Sequence, residues 1–172
     1  VCVSDPIRQR LIDRGFEPNR LFSIYNGLDF SHVVPKTDRA AYFAQFGYTV
    51  HEGDVIAGIA ARLDPVKDIP TLLRAVALAK KACPQLRLAI AGDGKERKKL
   101  EALTKELDLA DSVFFLGWVN DLDSFYGALD INTLSSVSEA FPYALPEGAR
   151  AHLATVASNV GGVPAIIEHG VT

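Results

Sequence analysis

Short, mostly apolar runs alternate with amphipathic stretches over most of the chain. Each run is short enough to be a strand that is buried on both faces. Between the runs, apolar residues recur at helical spacing, as in Ile69, Leu72, Leu73 and Val76. The pattern predicts strands at 55–61, 86–92, 113–117, 131–136 and 154–158, with helices at 70–82, 96–107, 121–128 and 142–151.

The first part of the chain follows a less regular pattern. "VCVS" predicts a short strand, and "DPIRQRLIDRG" predicts a helix that Ser4 caps and Gly15 ends. "LFSIYNGLD", at 21–29, predicts a second strand that closes in an Asn-Gly turn. Residues 37–46 predict a helix before the regular alternation begins.

Strands that alternate with helices indicate an α/β fold, a Rossmann-like, doubly wound parallel sheet with helices on both faces. In such sheets a ligand binds at the carboxyl ends of the strands. The loops that follow residues 61, 92, 117 and 136 are therefore the candidate site.

Composition excludes several classes of protein. The 172 residues suffice for one domain, and a net charge of −3 argues against a nucleic-acid partner. Cys2 and Cys83 form no redox or metal motif, and no apolar run approaches the length of a membrane span. This suits a reducing compartment, and we expect a cytoplasmic protein. The chain has no methionine, and we expect it to be a piece of a longer protein.

The loop after the first strand of the regular part, "ARLDPVKDIP", carries two cations. Arg62 and Lys67 precede a helix and could clamp a diphosphate. The alternative is a surface charge cluster in which they pair with Asp64 and Asp68.

The next two loops carry weaker signals. "AGDGKERKK" is not a P-loop, although Gly92 and Gly94 could let a ligand approach the backbone, and "KERKK" indicates a solvated helical face. "LGWVNDLD" offers Trp118 and open backbone groups to a planar ring. Alternatively, Trp118 packs on the edge of the sheet.

The last loop, "SEAFPYALPE", places Glu139 and Glu147 around the start of a helix. Pro142 suits a first turn, whereas Pro146 requires that the helix begin near Leu145 or that its first turn be distorted. The carboxylates could accept hydrogen bonds from sugar hydroxyls, while backbone amides there face an anion. Ordinary stabilisation of a helix N-terminus by glutamate is the alternative.

Taken in order, "IYNGLD", "ARLDPVKD", "LAIAGDG", "VFFLGWV", the Glu139-x7-Glu147 motif and "VASNVGGVPAIIEHGVT" resemble the retaining glycosyltransferases of the large family-4 type. The resemblance covers nearly the whole chain. It implies the carboxyl-terminal, donor-binding lobe of a two-lobed GT-B enzyme. Residues 1–15 would then be the end of the amino-terminal acceptor lobe or the hinge, and the rest of that lobe would lie outside this chain.

The resemblance also implies roles. Arg62 and Lys67 would hold the donor diphosphate and stabilise the leaving group. Glu139 would bind hydroxyls of the donor sugar, and Glu147 would bind the ribose. The backbone of Ala140, Phe141 and Pro142 would approach sugar and phosphate, and Gly117, Trp118 and Val119 would edge the base.

The family's chemistry implies a UDP-sugar or GDP-sugar donor and no metal cofactor. It implies retention of configuration by a front-face mechanism that needs no enzyme nucleophile. The acceptor would be a glycan or a lipid-linked sugar, and the missing lobe could touch a membrane peripherally. This chain alone would bind a nucleotide weakly and transfer nothing.

The sequence departs from the family pattern at four places. Asp68 follows the lysine where glycine is usual, and Ala140 follows the first glutamate where glycine is usual. Pro146 precedes the second glutamate, and Ala165 takes a place that is often acidic. Asp68 and Ala140 add charge or bulk near a phosphate.

Three other functions share this sheet. A dinucleotide-dependent dehydrogenase would need G-x-G-x-x-G after its first strand, which "GIAARLDPVK" lacks. A non-catalytic nucleotide-binding or scaffold domain of the same fold remains an alternative, as does a GT-B enzyme with another reaction.

Overall fold

A computed structural model describes residues 1–31 and 33–170. Within them a five-stranded parallel sheet has the strand order β3-β2-β1-β4-β5. This confirms the predicted α/β fold with a doubly wound parallel sheet. The strands are β1 Val55–Ala60, β2 Leu86–Ala91, β3 Val113–Gly117, β4 Ile131–Leu134 and β5 Ala154–Ala157.

The order of the strands reverses at the middle of the sheet. β1 pairs with β2 over its whole length, from Val55↔Leu86 to Ala60↔Ala91. On its other side β1 pairs with β4 through Ala57↔Ile131. A crevice therefore opens beyond the carboxyl ends of β1 and β4, which is where sheets of this kind bind ligands.

Helices cover both faces of the sheet. Successive side chains of a strand point to opposite faces, so Ile56 enters one core while Ala57 and Ile59 enter the other. The first core includes α2 and α5, and the second includes α3 and α4. The helices are α1 Asp5–Asp13, α2 Arg39–Ala44, α3 Ile69–Ala79, α4 Arg97–Glu106, α5 Leu122–Gly127 and α6 Ala144–Arg150.

The start of α6 resolves the question that Pro146 raised. The helix begins at Ala144 rather than at 142, so Pro146 is its third residue. The first N–H groups of a helix have no partner within it, and proline there removes no ladder hydrogen bond.

The two strands predicted at the beginning of the chain are wrong. They are reduced to a single bridge between Cys2 and Ser23, and residues 24–30 have no regular structure, so the predicted Asn-Gly turn is absent as well. The bridge joins these two segments to each other and not to the five-stranded sheet, and an isolated pair of strands is marginal in water.

The beginning of the chain nevertheless packs on the domain. Ser4 is buried, and its Oγ donates a hydrogen bond to the carbonyl oxygen of Ala140 at 3.1 Å. The assignment of residues 1–15 to a hinge or a second lobe stays a prediction. In the described ranges, none of the helices combines the length and the apolarity that a bilayer crossing requires.

Candidate functional site

A cavity of about 480 Å³ lies at the predicted place, beyond the carboxyl ends of the central strands. Apolar residues at strand ends form its floor, among them Ala60, Ala91 and Leu134. Its charged lining residues are Arg62, Lys67 and Glu147. Two cations and a carboxylate thus face one space that is large enough for a small ligand.

Lys67, which lines this cavity, is paired with Glu139. Lys67 Nζ lies 2.6 Å from Glu139 Oε1, and the same oxygen accepts a hydrogen bond from Ser136 Oγ at 2.6 Å. Both side chains are largely buried, with 21% of Lys67 and 10% of Glu139 exposed. Lys67 therefore does not form the pair with Asp68 that the surface-cluster alternative required.

Two further hydrogen bonds hold the loops that carry these residues together. Ser135 Oγ donates to the carbonyl oxygen of Lys67 at 2.7 Å, and the amide of Val137 donates to the carbonyl oxygen of Val66 at 2.9 Å. The loop after β1 and the loop after β4 are thereby fixed to each other across the crevice.

The Glu139 loop lies against two consecutive glycines. The amide of Gly162 donates to the carbonyl oxygen of Glu139 at 3.0 Å. A Cβ at Gly161 would lie 1.7 Å from that oxygen, and a Cβ at Gly162 would lie 1.9 Å from the carbonyl oxygen of Ala140. Only glycine permits this approach, so "VGGV" shapes the site from outside it.

Arg62 is far less constrained. Its side chain is 73% exposed, and its Nε lies 2.5 Å from Asp64 Oδ2, which is the pairing that the surface-cluster alternative predicted. Partial burial alone would raise the pKa of Asp64. The bonds from Arg62 and from the Val66 amide, with the charge of Lys67, outweigh burial and keep that pKa below its ordinary value.

Glu147 also lines the cavity and is held by a residue of the core. Its Oε2 accepts a hydrogen bond from the hydroxyl of Tyr126 at 2.9 Å. Tyr126 lies on α5 in the core and is 1% exposed. Burial, followed by the charge of Glu147 and the hydrogen bond to it, raises the pKa of Tyr126 far above its ordinary value, so the phenol stays a donor.

Trp118 stands at the rim of the cavity. It is 76% exposed and lines the cavity with Val119, so the alternative that it packs on the sheet edge is wrong. Its Nε1 donates to Asn120 Oδ1 at 3.0 Å. Just before it, the carbonyl oxygen of Gly117 accepts a bond from the Gly92 amide at 2.6 Å, which ties this rim to the loop after β2.

The glycines of the second loop serve the contact between neighbouring loops. A Cβ at Gly92 would lie 1.9 Å from the carbonyl oxygen of Ala61, and a Cβ at Gly94 would lie 2.4 Å from that of Leu63. Gly92 also lines the cavity. The "KERKK" segment is not entirely a solvated face, because the guanidinium of Arg97 lies over the ring of Phe115.

The cavity brings together most of the predicted residues, but not all of them. Arg62, Lys67, Trp118, Val119, Pro142 and Glu147 line it, and Glu139 contacts it through Lys67. The remaining three lie beside it. Gly117 directly precedes Trp118 at the rim. Ala140 is exposed, and its carbonyl oxygen accepts a hydrogen bond from Ser4. Phe141 is half-buried, and the centroid of its ring lies 5.8 Å from that of Tyr143.

Sequence reasoning missed several residues of the site. Tyr126 is one, because a tyrosine on the buried face of a helix looks like ordinary core. Ser135 and Ser136 are others, although two hydroxyls at the end of β4 were a usable signal. Tyr143 lines the cavity and could have been found beside Pro142.

The described part of the chain holds no group of three or more His, Cys, Asp or Glu residues placed to bind a metal ion. The positive charge that lines this cavity comes from Arg62 and Lys67.

A family model described as "Glycosyl transferases group 1" matches residues 43–172. Among curated relatives, D-inositol 3-phosphate glycosyltransferase from Mycobacterium sp. strain KMS is 31% identical over 163 residues, which is 91% of this chain and 36% of that protein. An uncharacterised glycosyltransferase from Haemophilus influenzae is 35% identical over 155 residues, 90% of this chain and 40% of that protein.

Solved structures share the fold. HepE from Anabaena in complex with UDP-glucose has a TM-score of 0.86 and 28% identity, and the match covers 99% of this chain and 47% of that one. HepE with UDP and glucose matches with the same TM-score and 27% identity. The chain thus spans less than half the length of these relatives.

Proposed function

Because this chain belongs to the group 1 glycosyltransferases, we propose that its cavity binds a nucleoside-diphosphate sugar as the donor lobe of a GT-B enzyme. One observation carries the proposal: Arg62, Lys67 and Glu147 line a single cavity. The donor would be a UDP-sugar or a GDP-sugar. HepE, whose fold this chain shares, binds UDP-glucose.

The two cations act on the diphosphate. Lys67 exchanges Glu139 for a phosphate oxygen when the donor enters, and Arg62 swings from Asp64 towards the same group. Their charges stabilise the departing diphosphate as the bond to the sugar breaks, without a metal cofactor. Glu139, still bonded to Ser136, then accepts hydrogen bonds from hydroxyls of the donor sugar.

Transfer proceeds with retention of configuration. The bond between the anomeric carbon and the phosphate oxygen breaks, and the acceptor oxygen bonds to that carbon on the same face. The acceptor's proton passes to the departing phosphate, so no enzyme nucleophile is needed. Glu139 serves this step by fixing the sugar.

The nucleoside lies at the opposite end of the cavity. Glu147 accepts hydrogen bonds from the ribose hydroxyls, and the base lies along Gly117, Trp118 and Val119. The backbone of Ala140, Phe141 and Pro142 approaches the sugar and phosphate from the loop that the two glycines hold.

The acceptor is a glycan or a lipid-linked sugar, bound mainly by a second lobe outside residues 1–172. That lobe is also where a peripheral membrane contact would lie. We propose that the protein is cytoplasmic and works in polysaccharide assembly. Residues 1–172 alone bind nucleotide weakly and transfer nothing, so sugar transfer by this chain would contradict the assignment of the acceptor site.

Calorimetric titration with UDP, GDP and ADP tests the donor site. We expect saturable binding of UDP or GDP. Failure of all three to bind would contradict the proposal and favour a scaffold domain of the same fold.

A further inference from the structure

The hydroxyl of Tyr126 contacts the carboxylate that the proposed function assigns to the ribose. It donates to Glu147 Oε2 at 2.9 Å from a position in the core. Among the hydrogen bonds of the described residues, Glu147 Oε1 has none. One oxygen of the carboxylate is therefore committed to the protein, and the other can face the cavity that Glu147 lines.

The two helices that carry this pair are held in place independently of it. Arg150 of α6 forms an ion pair with Asp123 of α5. The Nδ2 of Asn132 in β4 donates to the carbonyl oxygen of Ala144 at 2.8 Å, at the first residue of α6. Gly148 lets α6 lie close to β4, because a Cβ there would be 2.3 Å from Asn132 Nδ2.

We infer that Tyr126 is a positioning residue that holds Glu147 in the one orientation from which its free oxygen binds the ribose hydroxyls of the donor. The inference rests on the proposed function. An unconstrained glutamate samples several rotamers and loses that freedom on binding, whereas Glu147 is oriented before the ligand arrives. Tyr126 thereby contributes to selectivity for ribonucleotides without touching the ligand.

A second buried tyrosine offers a matched control. Tyr42 belongs to the same hydrophobic core as Tyr126, and its hydroxyl has no hydrogen-bond partner among the described residues. Tyr42→Phe and Tyr126→Phe therefore remove the same atom from the same core. Only Tyr126→Phe also removes a hydrogen bond to a side chain that lines the cavity, that of Glu147.

The test measures binding of UDP and GDP, each beside its 2′,3′-dideoxy counterpart, by calorimetry. We expect the wild-type protein to prefer the ribonucleotide by roughly 10- to 100-fold, the range for hydrogen bonds to a charged group. Tyr126→Phe should reduce that preference to about threefold and leave affinity for the dideoxy nucleotide unchanged. Tyr42→Phe should keep the wild-type preference.

The possible results separate the inference from the proposed function. A Tyr126→Phe protein with the wild-type preference, or with equal losses for both nucleotides, would overturn the positioning role alone. A wild-type protein with no preference would overturn ribose recognition by Glu147, and the inference with it.

A second variant tests the premise that Glu147 binds the ribose. Glu147→Gln keeps an acceptor for the Tyr126 hydroxyl and preserves the shape of the side chain, but it removes the charge that would bind the ribose hydroxyls. It should lower the ribonucleotide preference, and an unchanged preference would overturn ribose recognition by the Glu147 carboxylate and the inference with it.

Discussion

The two ends that we propose for the cavity, a ribose end at Glu147 and a phosphate end at Arg62 and Lys67, are built in opposite ways. Glu147 is bonded to a phenol that is 1% exposed and part of the core. The Arg62 side chain is 73% exposed and touches Asp64 in its own loop. Lys67 is intermediate, since it is largely buried but paired with Glu139 rather than with a core residue.

If the proposed roles are right, the difference separates a part of the site that is preformed from a part that rearranges. Tyr126 already orients Glu147. Lys67 and Arg62 are each paired with a carboxylate and would have to leave it to bind a phosphate. The two ion pairs also limit electrostatic repulsion between Arg62 and Lys67.

The largest expected effect comes from removing Lys67 from the proposed phosphate end. Lys67→Ala should lower kcat/KM for sugar transfer by roughly 10²- to 10³-fold, because it removes a charge that we propose stabilises the leaving diphosphate. Lys99→Ala is the matched control, since Lys99 also pairs with a glutamate, at 3.0 Å from Glu96, but on the outer helix α4. Steady-state kinetics of the whole protein check this. Equal activities of the two variants would exclude Lys67 from the mechanism.

The next largest effect comes from changing Gly161, which lies against the loop that carries Glu139. Gly161 has φ +54°, and a side chain there would strike the carbonyl oxygen of Glu139. Gly161→Ala should cost about 3 kcal/mol in the free energy of unfolding, from backbone strain and overpacking together. It should also weaken binding of the nucleotide sugar.

Gly53→Ala separates the two causes. Gly53 has φ +85° with no atom within 4 Å of its added Cβ, so this variant has the strain without the clash. Urea unfolding should show a loss of about 1 kcal/mol. If the two variants lose the same stability, the contact with Glu139 does not support the loop.

The smallest expected effect concerns the negative charge of Asp68 at the proposed phosphate end. Asp68 has a left-handed backbone, with φ 42°, directly after Lys67. Asp68→Gly removes a negative charge next to Lys67 and should tighten nucleotide binding by roughly two- to fivefold. Asp108→Gly, with φ 56° at the far end of α4, gives the same backbone relief. It should leave the affinity unchanged, and an equal gain in both would refute the electrostatic reason.

The centre of the sheet was predictable because burial on both faces marks its strands, and the run at 86–92 became the largely buried β2 Leu86–Ala91. The run at 154–158 became β5 Ala154–Ala157 at the edge of the sheet, where Val156 is 66% exposed, so its apolar composition rather than its burial identified it. The segments at 1–4 and 21–29 have strand-like composition too, but composition does not show whether a neighbouring strand exists. Only the bridge between Cys2 and Ser23 formed.

The candidate site was predictable as a set of residues and less so as a set of contacts. Arg62, Lys67, Glu139 and Glu147 follow strand ends, so topology brings them together. Lys67 has Asp68 as its neighbour in sequence, yet it pairs with Glu139, 72 residues away. The pairing of Lys67 with Glu139 depends on how the loops after β1 and β4 are fixed to each other. The spacing of residues along the chain does not reveal it.

The most direct measurement compares binding of UDP and uridine by the wild-type protein, Arg62→Ala and Arg74→Ala. Arg74 is an exposed arginine on α3 that does not line the cavity. If the cationic end of the cavity holds the diphosphate, Arg62→Ala weakens UDP roughly tenfold, leaves uridine unchanged, and Arg74→Ala matches the wild type. UDP binding that Arg62→Ala leaves intact would contradict the assignment of this cavity to a nucleoside-diphosphate donor.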